Sequence, residues 1–191
     1  MIKLENVSKS YGSHTVILGL SLEITDGERV YISGASGTGK TTLIRIIAGL
    51  EGCRGKVTVD KKIAVMFQEH RLFMHLSALE NVLCVCDKKT DKAVKRAKEL
   101  LGRLGLSDFE NMLASELSGG MAQRVALART LMSDRSIIVL DEPFSALDKD
   151  MKEKACSLIL DYCKDGKTLI LVSHMQEDAE ALCTRKISVD K

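Results

Sequence analysis

The stretch Gly34-Ala35-Ser36-Gly37-Thr38-Gly39-Lys40-Thr41-Thr42 decides the fold of this chain. It matches the pattern G-x-x-x-x-G-K-[ST], which needs a strand before it and a helix after it. Residues 29–33 are apolar and β-rich, so they predict the strand. The residues that follow Lys40 have helical spacing and end in Gly49, so they predict the helix. The motif therefore has the context that it requires.

This loop has the chemistry of an anion site. Its glycines let backbone N–H groups curl around phosphate, and the helix that follows adds the positive end of its dipole. Lys40 is placed to reach the β- and γ-phosphates, and the Thr41 hydroxyl is placed to ligate Mg²⁺. A glycine-rich turn without a ligand is the alternative, which the correct flanks disfavour. The stretch predicts a site for a nucleoside triphosphate.

Length, charge and hydropathy limit the class of protein. The chain has 191 residues, which suit one domain or one core with an inserted subdomain. The net charge of +2 gives no reason to expect nucleic acid or an anionic membrane surface as a partner. The apolar runs are short and interrupted by charges, so we expect no segment that spans a bilayer. The first residues also lack the apolar core of a secretory signal.

Two other features have simple explanations. The six cysteines contain no C-x-x-C pair and several lie on apolar helix faces, which favours buried thiols over disulfides or zinc ligands. The basic residues between positions 88 and 98 alternate with acidic ones on one amphipathic helix. We interpret them as a solvated helix face rather than a nucleic-acid site.

The order of predicted elements indicates an α/β fold. Strands are predicted at residues 2–8, 15–25, 28–33, 56–60, 63–67, 136–140, 168–172 and at the C-terminal end. Helices are predicted at residues 40–50, 119–132, 149–164 and 176–183. This alternation predicts a mostly parallel sheet. We expect one domain, residues 1–191, with its core at about 1–68 and 135–191 and a helical subdomain at about 69–134.

Two carboxylates follow one of these strands directly. Residues 137–140 are apolar and lead into Asp141 and Glu142. A buried strand delivers Asp141 to the edge of the sheet, where it can bind Mg²⁺, usually through water. Glu142 is then placed to polarise an attacking water. The two carboxylates could instead only cap the next turn, but the phosphate loop at residues 34–42 makes that alternative weaker.

Further motifs resemble those of the ATP-binding cassette (ABC) ATPases. Leu117-Ser118-Gly119-Gly120-Met121 is similar to the signature sequence of that family and stands just upstream of the Asp141 strand, as it does there. The other matches are Tyr11 for the aromatic ring against adenine, Gln68 for the Q-loop glutamine, Asp148 at the end of the D-loop, and His174 for the switch histidine. The resemblance extends over essentially the whole chain.

The resemblance implies a P-loop NTPase fold, namely an ABC-type nucleotide-binding domain. Such a domain has a mostly parallel central sheet, an N-terminal antiparallel β portion and an inserted helical subdomain. It implies ATP and Mg²⁺ as cofactors, with Thr41, Gln68 and Asp141 as metal ligands and Glu142, His174, Lys40 and Gln68 as catalytic residues. The residues expected to contact nucleotide are Tyr11, Gly34, Ala35, Ser36, Gly37, Thr38, Gly39, Lys40, Thr41, Thr42, Ser118, Gly119, Gly120 and Asp148.

Each role has a physical reason. Tyr11 would stack on the base. Gln68 would bind Mg²⁺ or water, and His174 would donate a hydrogen bond to the γ-phosphate. Ser118 and Gly120 open a helix and so form a second anion site. In the family this second site closes over ATP held by another protomer, so hydrolysis requires a head-to-tail dimer. Met121 replaces the commoner glutamine, a change that affects only fine contacts.

The resemblance also implies partners. We expect a homodimer or a paired ABC ATPase, separate transmembrane permease subunits and no nucleic acid, with the chain at the cytoplasmic face of the cell membrane. Residues 68–73 and 79–82 are similar to importers of the nitrate/sulfonate/taurine group. We therefore expect an ATP-binding and ATP-hydrolysing subunit that powers a membrane transporter, an importer, through ATP-driven closure of a head-to-tail dimer. The alternative function is that of an ABC ATPase that partners a non-transporting membrane protein of the cell-division type.

A docking surface for the membrane partner is also expected. Leu72, Phe73, Met74 and Leu76 are apolar residues in a segment expected at the surface of the subdomain. They predict a groove for a helix of the membrane subunits, unless they pack into the core of the subdomain itself.

Overall fold

A computed structural model of the chain describes residues 1–35 and 37–189. It contains two compact units. The first comprises Met1–Val65, Arg135–Asp141 and Asp165–Lys191, and the second comprises Met66–Asp134 and Glu142–Lys164. The division into a core and a helical subdomain at residues 69–134 stays a prediction. In the structure, the segment Glu142–Lys164 belongs to the same compact unit as Met66–Asp134.

The strands and helices of the described residues follow the predicted order. The strands are β1 (Ile2–Tyr11), β2 (His14–Ile24), β3 (Arg29–Ser33), β4 (Arg54–Val59), β5 (Ile63–Met66), β6 (Ile137–Asp141), β7 (Thr168–Val172) and β8 (Arg185–Ser188). The helices are α1 (Lys40–Ile47), α2 (Ala78–Leu83), α3 (Asp91–Arg103), α4 (Gly119–Met132), α5 (Lys149–Cys163) and α6 (Gln176–Leu182).

The N-terminal β portion is a three-stranded antiparallel sheet in the order β2-β1-β4. The buried side chains of Ile2, Leu4 and Ile24 give it an apolar face. β1 continues three residues beyond the predicted end, because Tyr11 pairs with His14 across a turn of only two residues. Gly12 makes this tight turn with φ 59°, a left-handed conformation that glycine adopts without strain.

The second sheet has five strands in the order β5-β6-β7-β3-β8. β3 pairs in parallel with β7 and β8, and β6 pairs in parallel with β7. Every residue of β6 and β7 is buried, which explains why both segments are continuous apolar runs. Because these strands are parallel, the loop after β3, Asp141 and the residues after β7 all lie at the same edge of the sheet.

The second compact unit is helical, and its helices begin at residues that the sequence marks. The hydroxyls of Ser77, Thr90 and Ser118 accept hydrogen bonds at the starts of α2, α3 and α4, and the Asp148 carboxylate does the same for α5. The helical block is less continuous than predicted. Residues 69–77 form a loop, and residues 104–118 form a loop with two short 3₁₀ turns, Ser107–Phe109 and Ala114–Glu116.

The structure shows how far the cysteines and the lysines of α3 are exposed to solvent. All six cysteines lie within the described residues and are thiols rather than disulfides, but only Cys163 is buried and Cys84 is exposed, which corrects the expectation of buried thiols. α3 buries Ala97 and Leu101 and turns most of its lysines to solvent. Within residues 1–35 and 37–189, no helix has the length and apolarity needed to cross a membrane.

Candidate functional site

The phosphate loop begins directly after β3 and ends at Gly39, which is the N-cap of α1. Ser36, which the sequence places in this loop, lies outside the described residues. Gly39 has φ 95°, and a Cβ at this position would lie 2.5 Å from Cγ1 of Val16. Both the conformation and the close approach therefore require glycine here.

Lys40 is buried, with 7% of its surface exposed. Its ammonium group donates hydrogen bonds to the carbonyl oxygens of Gly34 at 2.7 Å and Ala35 at 2.8 Å. In the first turn of α1, as described, no acidic side chain and no side-chain cap compete for the free N–H groups. The start of α1 therefore combines a cation, free backbone donors and a helix dipole, which is the chemistry that binds phosphate.

Thr41 and Asp141 meet at the edge of the sheet. The Thr41 hydroxyl donates to the Asp141 carboxylate at 3.2 Å, and Asp141 is 2% exposed. Burial raises the pKa of the Asp141 carboxyl, although the Thr41 hydrogen bond and the neighbouring Lys40, His174 and Arg45 act in the opposite direction. A buried carboxylate beside a hydroxyl fits Mg²⁺, because the ion would supply the positive charge that burial makes necessary.

His174 lies at the same edge, two residues beyond the end of β7. Its side chain is exposed, and it is close enough to Asp141 to act electrostatically on that carboxyl. Lys40, Thr41, Asp141 and His174 therefore come together within the first unit, although the sequence separates them by up to 134 positions (40 to 174).

Tyr11 ends β1 with 45% of its surface exposed. The ammonium group of Lys9 lies over the ring, 4.9 Å from its centroid. Lys9 in turn forms an ion pair with Glu51 at 2.5 Å and donates to the carbonyl oxygen of Gly52 at 2.8 Å. This arrangement fixes one face of the Tyr11 ring against a cation. A base can stack on a ring supported in this way.

Glu142 lies in the second unit in a strained conformation. It is 7% exposed and has φ 52°, a left-handed value that is rare for residues other than glycine. The buried amide of Gln123 donates to the Glu142 carbonyl at 2.7 Å and accepts from the Ala146 N–H at 3.0 Å. Strain of this kind persists where the surroundings enforce it, and it is common at functional sites. Gln123 provides part of that enforcement.

Ser118 and Gly120 lie at the start of α4, as the sequence predicts. The Ser118 hydroxyl accepts from the Met121 N–H at 3.3 Å and so caps the helix. A Cβ on Gly120 would lie 2.8 Å from the carbonyl oxygen of Ala146. Gly120 is therefore needed for the close packing of α4 against the turn that leads to Asp148, whereas Gly119 is open.

Gln68 is exposed in a bend two residues after β5. The loop that follows it is attached to α4, because the guanidinium of Arg129 donates to the carbonyl oxygens of His70 at 2.7 Å and Arg71 at 2.8 Å. Arg129 and Gln123 both lie in the helix after the signature motif. Sequence reasoning missed both roles, since a polar residue in a helix does not reveal which carbonyl it contacts.

The expected apolar docking segment is partly at the surface. Phe73 and Met74 are 50% and 57% exposed, while Leu72 and Leu76 are half-buried. The neighbouring segment contributes Leu113, also exposed, and its Ser115 N–H donates to the Met74 carbonyl at 3.2 Å. Backbone hydrogen bonds place the two segments side by side, and their exposed apolar residues Phe73, Met74 and Leu113 are called the apolar patch below.

These features define a class of protein, an α/β nucleotide-binding protein with a phosphate loop, a carboxylate at the edge of a parallel sheet and a capped signature helix. The family model described as "ABC transporter" matches residues 17–145 of the chain. The chain belongs to the ABC transporter family, and within it to the ATPases, which bind ATP, with Mg²⁺ as the usual ion, and hydrolyse it.

Several relatives match over nearly the whole chain. The glutamate/aspartate import ATP-binding protein GltL of Escherichia coli (strain K12) is 38% identical over 100% of this chain and 88% of its own length. The thiamine import ATP-binding protein ThiQ of Jannaschia sp. (strain CCS1) is also 38% identical, over 100% of this chain and 89% of its own. The aliphatic sulfonates import ATP-binding protein SsuB 3 of Rhodococcus jostii (strain RHA1) is 40% identical, over 99% and 71%.

The fold is similar to solved ABC cassettes. A dimeric structure of the ATP-binding cassette MJ0796 in a post-hydrolysis state, bound to ADP and Pi, superposes with a TM-score of 0.91 at 34% identity. The match covers 98% of this chain and 94% of that one. The predicted fold class and the predicted ATPase are thereby confirmed. The predicted similarity to sulfonate importers is also found, beside relatives named for amino acids and thiamine.

Proposed function

We propose that this chain is the ATP-hydrolysing subunit that powers a membrane transporter, and that the transporter is an importer. The observation that carries the proposal is the convergence of Lys40, Thr41, Asp141 and His174 at one edge of the parallel sheet, in a chain whose relatives are named as import ATP-binding proteins. The transported molecule would be recognised by other subunits.

The residues of this site divide the work of hydrolysis. The loop of residues 34–42 and Lys40 bind the phosphates, while Tyr11 stacks on the base. Thr41, Asp141 and Gln68 would hold Mg²⁺, which would supply positive charge beside the phosphates. Glu142 orients the attacking water and accepts its proton, and His174 donates a hydrogen bond to the γ-phosphate.

The second part of the site acts on a partner's nucleotide. Ser118, Gly119 and Gly120 begin α4, whose first described turn contains no acidic residue that would repel phosphate. The cassette MJ0796, similar over nearly its full length, forms a dimer. We therefore propose a head-to-tail dimer in which Ser118 and Asp148 of each protomer face the nucleotide of the other.

The apolar patch of Phe73, Met74 and Leu113 is the proposed contact with permease subunits. Its residues are exposed although aromatic and aliphatic side chains are normally removed from water, and exposed apolar patches commonly mark interaction sites. An amphipathic helix from the permease would fit such a surface. This contact would place the chain at the cytoplasmic face of the membrane.

The test is Glu142→Gln, which preserves the shape of the side chain but removes its ability to accept a proton. We expect ATP to bind with unchanged affinity, hydrolysis to fall by about 100-fold or more, and a dimer to form only with ATP. Size-exclusion chromatography with and without ATP and a phosphate-release assay measure these outcomes.

The matched control is Glu99→Gln, which makes the same chemical change on the exposed face of α3. It should hydrolyse ATP at the wild-type rate and show no trapped dimer. Wild-type hydrolysis by the Glu142 variant would remove Glu142 from the mechanism. A permanently monomeric Glu142 variant that still binds ATP would contradict the dimer.

A further inference from the structure

The hydroxyl of Tyr31 makes a buried contact that the proposed mechanism does not use. Tyr31 lies in the middle of β3, the strand that leads into the phosphate loop, between the fully buried Val30 and Ile32. It pairs in register with Leu171 of β7, and its side chain reaches Ser173, the first residue after the end of that strand. There its hydroxyl donates a buried hydrogen bond to the carbonyl oxygen of Ser173, at 3.0 Å.

That carbonyl belongs to the peptide unit that joins Ser173 to His174. A peptide unit is planar, so a hydrogen bond to its oxygen also fixes the orientation of its N–H, which is the backbone nitrogen of His174. The Tyr31 hydroxyl therefore restrains the main chain immediately before the histidine.

A second set of contacts restrains the main chain immediately after it. The Ser173 hydroxyl accepts a hydrogen bond from the Met175 N–H at 3.1 Å and donates one to the Asp178 carboxylate at 2.8 Å. Asp178 is 1% exposed, so this contact is buried as well. The backbone is thus fixed on both sides of a histidine whose own side chain is exposed.

From this geometry we infer that Tyr31 is a positioning residue for His174 and acts from the phosphate-loop strand. The inference rests on the proposed role of His174 in hydrolysis. Its physical basis is that a donor to a developing charge stabilises the transition state only where it is held in place beforehand. Tyr31 connects the strand that carries the loop with the turn that carries the histidine, and both belong to the first unit.

The variant that isolates this function is Tyr31→Phe, which retains the ring and removes only the hydroxyl. We expect kcat for ATP hydrolysis to fall about tenfold, with KM for ATP changed by less than about twofold, because the hydroxyl donates to the Ser173 carbonyl beside His174. The matched control is Thr168→Val, which removes a buried hydroxyl from the opposite end of β7, where it contacts Gly27 and Thr25. It should keep the wild-type kcat, even if both variants melt a few degrees lower.

Histidine NMR gives a readout that does not depend on turnover. The chain has four histidines, so the ring Cε1–H signals can be resolved, and the signal that disappears in His174→Ala is that of His174. Tyr31→Phe should shift or broaden that signal and leave the signal of His14 in place. Thr168→Val should leave both unchanged.

Combination with His174→Ala separates this inference from the function on which it rests. If Tyr31 acts through His174, adding Tyr31→Phe to His174→Ala lowers kcat no further. An equal loss of kcat in both backgrounds would overturn the inference, as would wild-type kcat and an unmoved His174 signal in Tyr31→Phe. Wild-type hydrolysis by His174→Ala alone would instead remove the proposed role of the histidine, and the inference with it.

Discussion

At the scale of single residues, the buried ammonium group of Lys40 is the main positive charge of the proposed nucleotide site. Its two hydrogen-bond partners are carbonyl oxygens of the loop itself, at 2.7 and 2.8 Å. This lysine both closes the loop and supplies the charge that phosphate requires. Lys40→Ala removes both contributions. We expect ATP affinity to fall by at least about 100-fold, because a loss of about 3 kcal/mol is typical of hydrogen bonds to charged groups.

Titration calorimetry with MgATP measures that affinity. Lys56→Ala is the control, since it removes an exposed lysine from β4 in the same unit and should bind ATP normally. A thermal melt shows whether the Lys40 variant is folded. Unchanged affinity in a folded Lys40 variant would place the triphosphate elsewhere.

The sequence predicted those residues whose chemistry is carried by a motif. Lys40, Thr41 and Asp141 were predicted from a loop pattern and from carboxylates after an apolar strand, and the Thr41–Asp141 contact at 3.2 Å agrees with that reasoning. The sequence could not predict the contacts of Gln123 or Tyr31. These depend on which carbonyl a side chain reaches after folding, and neither residue has a local pattern that determines its partner.

At the scale of elements, one buried polar side chain of α2 holds the loop that precedes this helix. The Asn81 amide is fully buried and accepts from the Phe73 N–H at 2.8 Å, while its NH₂ group donates to the carbonyl oxygens of Phe73 and Ser77, both at 3.0 Å. Asn81→Ala would leave these groups buried without the amide. We expect a loss of about 3 kcal/mol in the free energy of unfolding.

Urea unfolding followed by circular dichroism measures this loss. Asn111→Ala, which changes an exposed asparagine of the same unit, is the control and should cost less than about 0.5 kcal/mol. If the Asn81 variant is as stable as that control, the amide makes no net contribution to the free energy of unfolding.

The start of α4 carries a prediction about the dimer. Ser118→Arg places a long cation where the helix offers N–H groups to a partner's phosphate, so hydrolysis should fall to background while the protomer's own ATP affinity stays unchanged. Ser118→Thr keeps the capping hydroxyl and should remain active. Phosphate release and nucleotide titration separate the two effects.

Mixing the Ser118→Arg protein with Lys40→Ala protein tests whether the serine acts in trans. A mixed dimer can rebuild at most one intact composite site, so the mixture should hydrolyse ATP faster than either variant alone. No gain over background would leave Ser118 without a role toward the partner's nucleotide.

Element types were largely predictable, whereas their ends were not. The alternation of apolar strands and helices gave the parallel sheet, because β6 and β7 are buried on both faces and therefore read as continuous apolar runs. The end of β1 was missed because cross-strand pairing with His14 extends it to Tyr11. Residues 69–77 belong to the predicted helical subdomain, but they form a loop that hydrogen bonds from Asn81 and Arg129 hold against α2 and α4.

At the scale of the whole molecule, no helix among the described residues has the length and apolarity needed to cross a membrane. The relatives named for glutamate, thiamine and sulfonates share its cassette at 38–40% identity. A cassette common to such different cargo is consistent with a motor that does not itself select the cargo. Its specificity for a transporter should then lie in the surface that docks the permease.

That surface gives the last prediction. Phe73 and Met74 expose half or more of their surface, so replacing both by serine removes apolar contact area without opening the core. We expect the isolated double variant to melt within about 2 °C of wild type, which is less than a lost core contact would give, and to bind and hydrolyse ATP. Pull-down with its membrane subunits, and transport, should fail. The control is Leu18→Ser, which changes an even more exposed apolar residue, on β2, and should leave assembly intact. A melting temperature lowered by several degrees would assign Phe73 and Met74 to the core of their unit, and normal assembly would place the permease contact on another surface.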